Sequence, residues 1–95
     1  MIKLRIEKID GFKYHLKDHK DKEYSLKLGF YDLPRELKKG DLLYMHEKYV
    51  RDENTFFHFG PLDGVYGRQI TSEKDPDIMV LELNQEKIYL KRYYG

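Results

Sequence analysis

The stretch "MIKLRIEKIDGFKYHLKDHKDKEYSLKLGF", Met1 to Phe30, decides the fold. Ile2, Leu4 and Ile6 alternate with Lys3, Arg5 and Glu7, so the period is two and one face of the segment is apolar. Ile9 falls on the other parity, which predicts a bulge or twist near Glu7–Lys8. Asp10-Gly11 is a tight-turn dipeptide between two such runs and signals a hairpin. Phe12, Tyr14 and Leu16 then alternate with Lys13, His15 and Lys17. A polar turn, "DHKDK" (Asp18–Lys22), leads into Tyr24, Leu26, Leu28 and Phe30, which alternate with Glu23, Ser25, Lys27 and Gly29. Three antiparallel strands in a meander follow from these patterns.

Working outward, "DLPRELKKGD" (Asp32–Asp41) breaks the alternation. Asp32 as a cap, Pro34 near the first position and Gly40 at the end predict one short helical turn there. "LLYMHEKYV" (Leu42–Val50) reads as strand again, "RDEN" (Arg51–Asn54) as a turn and "TFFHF" (Thr55–Phe59) as a fifth strand. "TSEKDPD" (Thr71–Asp77) reads as an exposed connection. "IMVLEL" (Ile78–Leu83) and "KIYLKRYY" (Lys87–Tyr94) flank the turn "NQEK" and form a final hairpin. Seven short strands predict one all-β domain spanning residues 1–95, a small antiparallel barrel. The order of three strands, a helical turn and two more strands is OB-like, with an SH3-like barrel as the alternative and the C-terminal hairpin as an addition to either.

The chain has 95 residues and no cysteine, so no disulfide or thiolate-bound metal staples the fold. The alternating start has no continuous apolar run and does not read as a signal peptide. With no apolar stretch of membrane-spanning length, cytoplasmic residence is the default expectation. Net charge is +1, which argues against a generally basic nucleic-acid binder, yet the charge is uneven along the chain. Residues 1–40 carry a balance of +4, residues 41–86 of −6 and residues 87–95 of +3. If the two basic ends meet in one sheet, the barrel gains a positive face and a negative one. The nine tyrosines suit half-buried strand positions.

"KIDGFKYHLKDHKDKEYSLKLGFYDLPRELKKGDLLYM" (Lys8–Met45) resembles small bacterial domains of unassigned function, common in Firmicutes. The anchors are Asp10-Gly11, Leu33-Pro34 and Lys39-Gly40-Asp41. The ending "KIYLKRYYG" and the segment "FGPLDGVYGR" (Phe59–Arg68) are similar to uncharacterised clostridial proteins of the same size. The resemblance implies the barrel and brings no activity with it.

The glycine-rich segment Phe59–Arg68 invites a phosphate-binding reading. It has neither the Walker spacing nor the dinucleotide one, and Pro61, Asp63-Gly64 and Gly67 fit turn chemistry. A structural turn is the first reading, and a loop in which Arg68 contacts an anion is the second. His15, His19, His46 and His58 show no metal-ligand spacing, so no metal or other cofactor is expected. Neither Ser25 nor Ser72 sits in a nucleophile motif, and no acid–base constellation stands out, so the chain does not read as an enzyme.

The strongest functional signal is the last strand. Lys87, Tyr89, Lys91 and Tyr93 share one face, alternating cations with rings that can stack on bases. Lys3, Arg5, Lys13, His15 and Lys17 add cations from the outer faces of the early strands. A non-catalytic module for single-stranded nucleic acid, RNA ahead of DNA, is the first functional expectation. A protein-interaction module, or a homodimer through the Tyr-rich face, is the other.

Overall fold

The bulge lies where the parity of the first segment breaks. In the computed structural model, which describes residues 1–62 and 75–93, strand β1 (Ile2–Asp10) pairs antiparallel with β2 (Lys13–Lys17), and the register shifts between Ile6 and Lys8. The two-residue turn Gly11-Phe12 joins them, and Gly11 takes a φ of +59°. That is the first-position glycine of a mirror-image hairpin turn, which matches the strand twist. Phe12 is therefore at the hairpin tip, 67% exposed, rather than on the apolar face. β2 pairs antiparallel with β3 (Glu23–Phe30), completing the meander.

The remaining strands close the sheet into a ring. β4 (Leu42–Met45) pairs with the start of β1, β5 (Phe56–Pro61) lies beside β3, and the hairpin β6 (Ile78–Leu83) and β7 (Glu86–Tyr93) fills the gap between β4 and β5. The order around the barrel is β1-β2-β3-β5-β7-β6-β4. Every neighbouring pair is antiparallel except β3 with β5, so the expected antiparallel barrel has one parallel seam. Two parallel neighbours need a long crossover, and the chain from Tyr31 to Thr55 supplies it. The β6–β7 turn is Asn84-Gln85, both with positive φ (50° and 68°), shorter than the four residues expected.

Inward side chains fill the ring, as small barrels require. Leu4, Ile6, Leu16, Leu26, Leu28, Leu43, Met45, Phe59, Met79, Leu81 and Leu90 are all buried. The helical turn exists, but its place differs from the expectation. It is α1 (Glu47–Val50), inside the segment expected to continue β4. Tyr49 and Val50, consecutive in this turn, are both buried. Tyr49 packs edge-on against Phe57 and Phe59, at 4.8 and 6.0 Å between ring centroids. His46 caps the turn, its Nδ1 accepting from the Lys48 N–H at 3.2 Å.

Asp32–Asp41 is not helical. Asp32 has a φ of +53°, away from the extended conformation of a helix cap. The segment is instead tied down at its far end. Asp41 accepts both terminal nitrogens of Arg35, at 3.0 and 2.7 Å, and the Lys38 N–H at 2.8 Å. Gly40, at φ +96°, donates to the Ile6 carbonyl, and Ile6 donates to the Asp41 carbonyl, docking the segment on the β1 bulge. Burial opposes the charge on Asp41, but the Arg35 and Lys38 hydrogen bonds outweigh it and hold the carboxyl below its usual range. Of the glycine-rich segment, Phe59 to Pro61 belong to β5; the part from Asp63 on, Arg68 included, lies outside the described residues.

Candidate nucleic-acid interface

The two basic ends of the chain do not form one wall. In the ring, β4 and β6 separate β1 from β7 on one side, and β3 and β5 separate β2 from β7 on the other. The expected pooling of Lys3, Arg5, Lys13 and Lys17 with Lys87, Tyr89, Lys91 and Tyr93 on one wall is therefore corrected: β7 is a neighbour of neither β1 nor β2, and of the cations from the two ends Lys3 and Lys87 meet over the Tyr44 ring. The eight residues divide between two outer walls.

On the β1–β4–β6 wall, cations are interleaved with acids and rings. Lys3 and Lys87 both approach the Tyr44 ring, at 5.9 and 6.0 Å from its centroid. Tyr44 donates to Glu82 at 2.9 Å, and this bond, with burial, raises the Tyr44 pKa. Arg5 is held by Glu7 at 2.5 Å and approaches Asp21 at 3.8 Å. Tyr89 is directly opposite Val80, which is itself opposite Tyr44, so the half-buried Tyr89 covers an apolar neighbour. Lys17, on β2, is opposite Glu23.

The β2–β3–β5–β7 wall differs in kind. Its outward positions bring together rings that the sequence pattern left separate. Phe12 meets Phe56 edge-on at 5.3 Å, Phe56 meets His58 at 4.2 Å, His58 stacks beside Tyr31 at 5.6 Å, and Tyr31 meets Tyr93 at 5.7 Å. Tyr31 Oη and His58 Nδ1 are 2.6 Å apart. Phe12, Tyr31, Phe56 and Tyr93 are exposed, and they form a chain of large rings across the barrel's outside.

Two glycines make that chain possible. Gly29 faces outward beneath Phe56 and His58; a Cβ there would sit 3.0 Å from His58 Nδ1 and 3.1 Å from Phe56 Cζ. Gly60 faces outward beneath Tyr93, whose Cε2 would lie 2.2 Å from an added Cβ. The rings lie on bare backbone, the arrangement in which an aromatic neighbour covers a strand glycine. Backbone bonds fix the edges of the chain: Leu28 donates to the Phe12 carbonyl at 2.8 Å, and Tyr31 donates to the Phe59 carbonyl at 3.0 Å.

Cations border the rings. Lys13 and Lys27 are directly opposite one another on β2 and β3, and Lys27 is in turn opposite Phe56. Among the described residues neither lysine makes an ion pair. Like charges directly across a ladder are destabilising. The nearest acid in register, Asp10, is directed to Lys8 at 3.6 Å and to His15 at 3.8 Å. Lys91 is exposed on β7, opposite Gly60.

Of the residues selected from sequence, Lys13, Lys91 and Tyr93 lie beside the ring chain or in it. Phe12, Lys27, Tyr31, Phe56 and His58 were missed. The available signal was the Gly29 and Gly60 positions on outward parity, each a vacancy that a neighbouring ring fills. His46 and His58 do not meet, since β4 and β5 are not neighbours and His46 caps α1. Among the described residues no cluster of metal-ligating side chains forms, and no helix is long and apolar enough to cross a membrane. No protein-family model, no curated protein and no solved structure matches the chain.

Proposed function

We propose that the chain is a non-catalytic module that binds single-stranded nucleic acid on the β2–β3–β5–β7 wall. One juxtaposition carries this reading: an exposed chain of rings bordered by a like-charged lysine pair. Rings of this kind stack on bases whatever their sequence, and lysines meet the phosphates between them. The strain of placing Lys13 opposite Lys27 is relieved when a phosphate sits between them. The barrel reads as OB-like, extended by the β6–β7 hairpin between β4 and β5. In OB-folds the strand 2–3 face and the loop between strands 1 and 2 bind oligonucleotides. Here those elements carry Lys13, Lys27 and Phe12.

A homodimer through the same rings is the competing reading, favoured by the exposure of Phe12 and Tyr93. In a two-fold interface a patch meets itself, which would bring two Lys13–Lys27 pairs together with only Asp10, already shared with Lys8 and His15, to offset each. Fluorescence anisotropy with labelled oligouridylate and oligothymidylate tests the choice, alongside sedimentation of the protein alone. The expected result is a monomer that forms a complex at micromolar protein, with affinity falling steeply as salt rises. A stable dimer that fails to bind either strand overturns it.

A further inference from the structure

The mouth of the barrel next to the ring chain holds a cavity of about 720 Å³, within the ~300–1,000 Å³ of small-molecule sites. Its walls are mostly apolar. Ile9, Tyr14 and Phe30 come from the strands, and Leu33 and Leu37 from the irregular segment after β3. Phe12 lines it too and also touches Phe56, so the cavity opens directly onto the ring chain. Two charged side chains complete the lining, Arg35 and Glu36.

These two charges are not equivalent. Both terminal nitrogens of Arg35 are committed to Asp41, and one also donates to the Glu36 carbonyl. The guanidinium is therefore a fixed plane, of the kind on which bases stack. The Glu36 carboxylate has neither an ion pair nor a side-chain hydrogen bond among the described residues. It lies close enough to Tyr14 to reinforce the rise in phenol pKa that burial causes. A carboxylate only accepts hydrogen bonds. The group it suits is one that presents two donors side by side.

We propose that this cavity takes one guanine base, splayed out of a single strand held on the ring chain, with Glu36 accepting from the base's Watson–Crick edge. The inference rests on the nucleic-acid reading of the wall. Guanine offers adjacent N1–H and exocyclic amino donors to the two carboxylate oxygens. Adenine and cytosine offer an amino donor beside a ring-nitrogen acceptor, and uracil offers a single donor between two carbonyls. Specific recognition of single strands works in this way, through unstacked bases read on their hydrogen-bonding edges. Continuity through Phe12 supplies the path: a strand stacked on Phe56 and Phe12 places its next base at the cavity mouth.

The test compares two fluorescein-labelled hexaribonucleotides, all-uridine and the same strand with one central guanosine, against the wild-type chain and Glu36→Gln. Wild type is expected to bind the guanosine strand roughly tenfold more tightly. Glu36→Gln is expected to lose that preference and keep the wild-type affinity for the all-uridine strand. Glu36 is exposed, so the variant folds, and circular dichroism checks it. Equal affinities in the wild type, or a preference that survives in Glu36→Gln, overturns the guanine site and leaves the ring-chain reading standing. Failure of both strands to bind the wild type overturns both.

Discussion

The two outer walls of the barrel are made from the same residue types and put them to opposite uses. On the β1–β4–β6 side each cation has a local answer: Glu7 for Arg5, and the Tyr44 ring with Glu82 beside it for Lys3 and Lys87. On the β2–β3–β5–β7 side Lys13 and Lys27 are opposite each other, and the rings beside them are exposed. The first wall satisfies itself. The second exposes large rings beside that lysine pair, and contiguous exposed apolar surface of this kind is uncommon. Composition cannot draw this distinction, because both walls contain lysine and tyrosine.

The contrast can be broken most forcefully through the rings. Replacing Phe56 and Tyr93 together by alanine is expected to cost about 1–3 kcal/mol of binding per lost stack. Tyr44→Ala, on the opposite wall, is expected to leave the affinity for oligouridylate unchanged. Anisotropy titrations of both variants decide it, and equal losses would erase the difference between the walls.

Stability responds next. The Arg35–Asp41 pair ties the irregular segment to β1, and Arg35→Ala is expected to destabilise the fold by about 1–3 kcal/mol at neutral pH, as lost hydrogen bonds to a charged group do. The sign of the pH effect follows from the lowered Asp41 pKa. The stabilisation is complete above the unfolded carboxylate value of about 3.9 and is lost as pH falls through the lower folded value. Urea denaturation should therefore show the gap between wild type and Arg35→Ala narrowing as the medium is made strongly acidic. A gap that stays constant would mean the pair contributes nothing through its charge.

Charge reversal sharpens the contrast further. Lys13→Glu combined with Lys27→Glu should lower the slope of log affinity against log salt by roughly 1.4, two phosphate contacts at about 0.7 each. Lys3→Glu combined with Lys87→Glu should leave that slope as it is. Lys27→Glu alone should also raise the stability of the free protein by about 0.2–1 kcal/mol, because it turns a repulsive cross-strand pair into an attractive one. Stability gained while binding is lost is the signature of a site.

Gly60→Ala is the mildest change. The added methyl occupies the place of the Tyr93 ring, which is 55% exposed and free to swing outward. A stability change within about 0.5 kcal/mol is expected, with a weaker complex because Tyr93 leaves the ring chain. An unaltered affinity would show that Tyr93 does not touch the ligand.

Much of the barrel was legible along the chain. Alternation, Asp10-Gly11 and the parity break at Ile9 are local signals, and they placed β1, β2, β3 and the bulge correctly. The strand Ile78–Leu83 was also bounded correctly. The helical turn was misplaced because its evidence was not local. Asp32, Pro34 and Gly40 carry the usual signs of a short helix, whereas α1 is capped by His46, outside the residue types that cap most often. What holds α1 is the burial of Tyr49 against Phe57 and Phe59, residues from a later strand. The candidate site was legible only in part for the same reason: Phe12, Tyr31, Phe56 and Tyr93 come from four separate stretches.

By itself, the sequence determined the apolar face of the first three strands and the Asp10-Gly11 turn, because those depend on side-chain parity and on the backbone freedom of single residues. The tertiary structure alone decided who stands beside whom. The β2–β3 register put Lys13 against Lys27, and closing the ring with a parallel β3–β5 seam laid the rings over Gly29 and Gly60 and kept the basic last strand from pairing with the basic first hairpin. Strand order depends on packing the whole interior at once, and no short window of sequence records that.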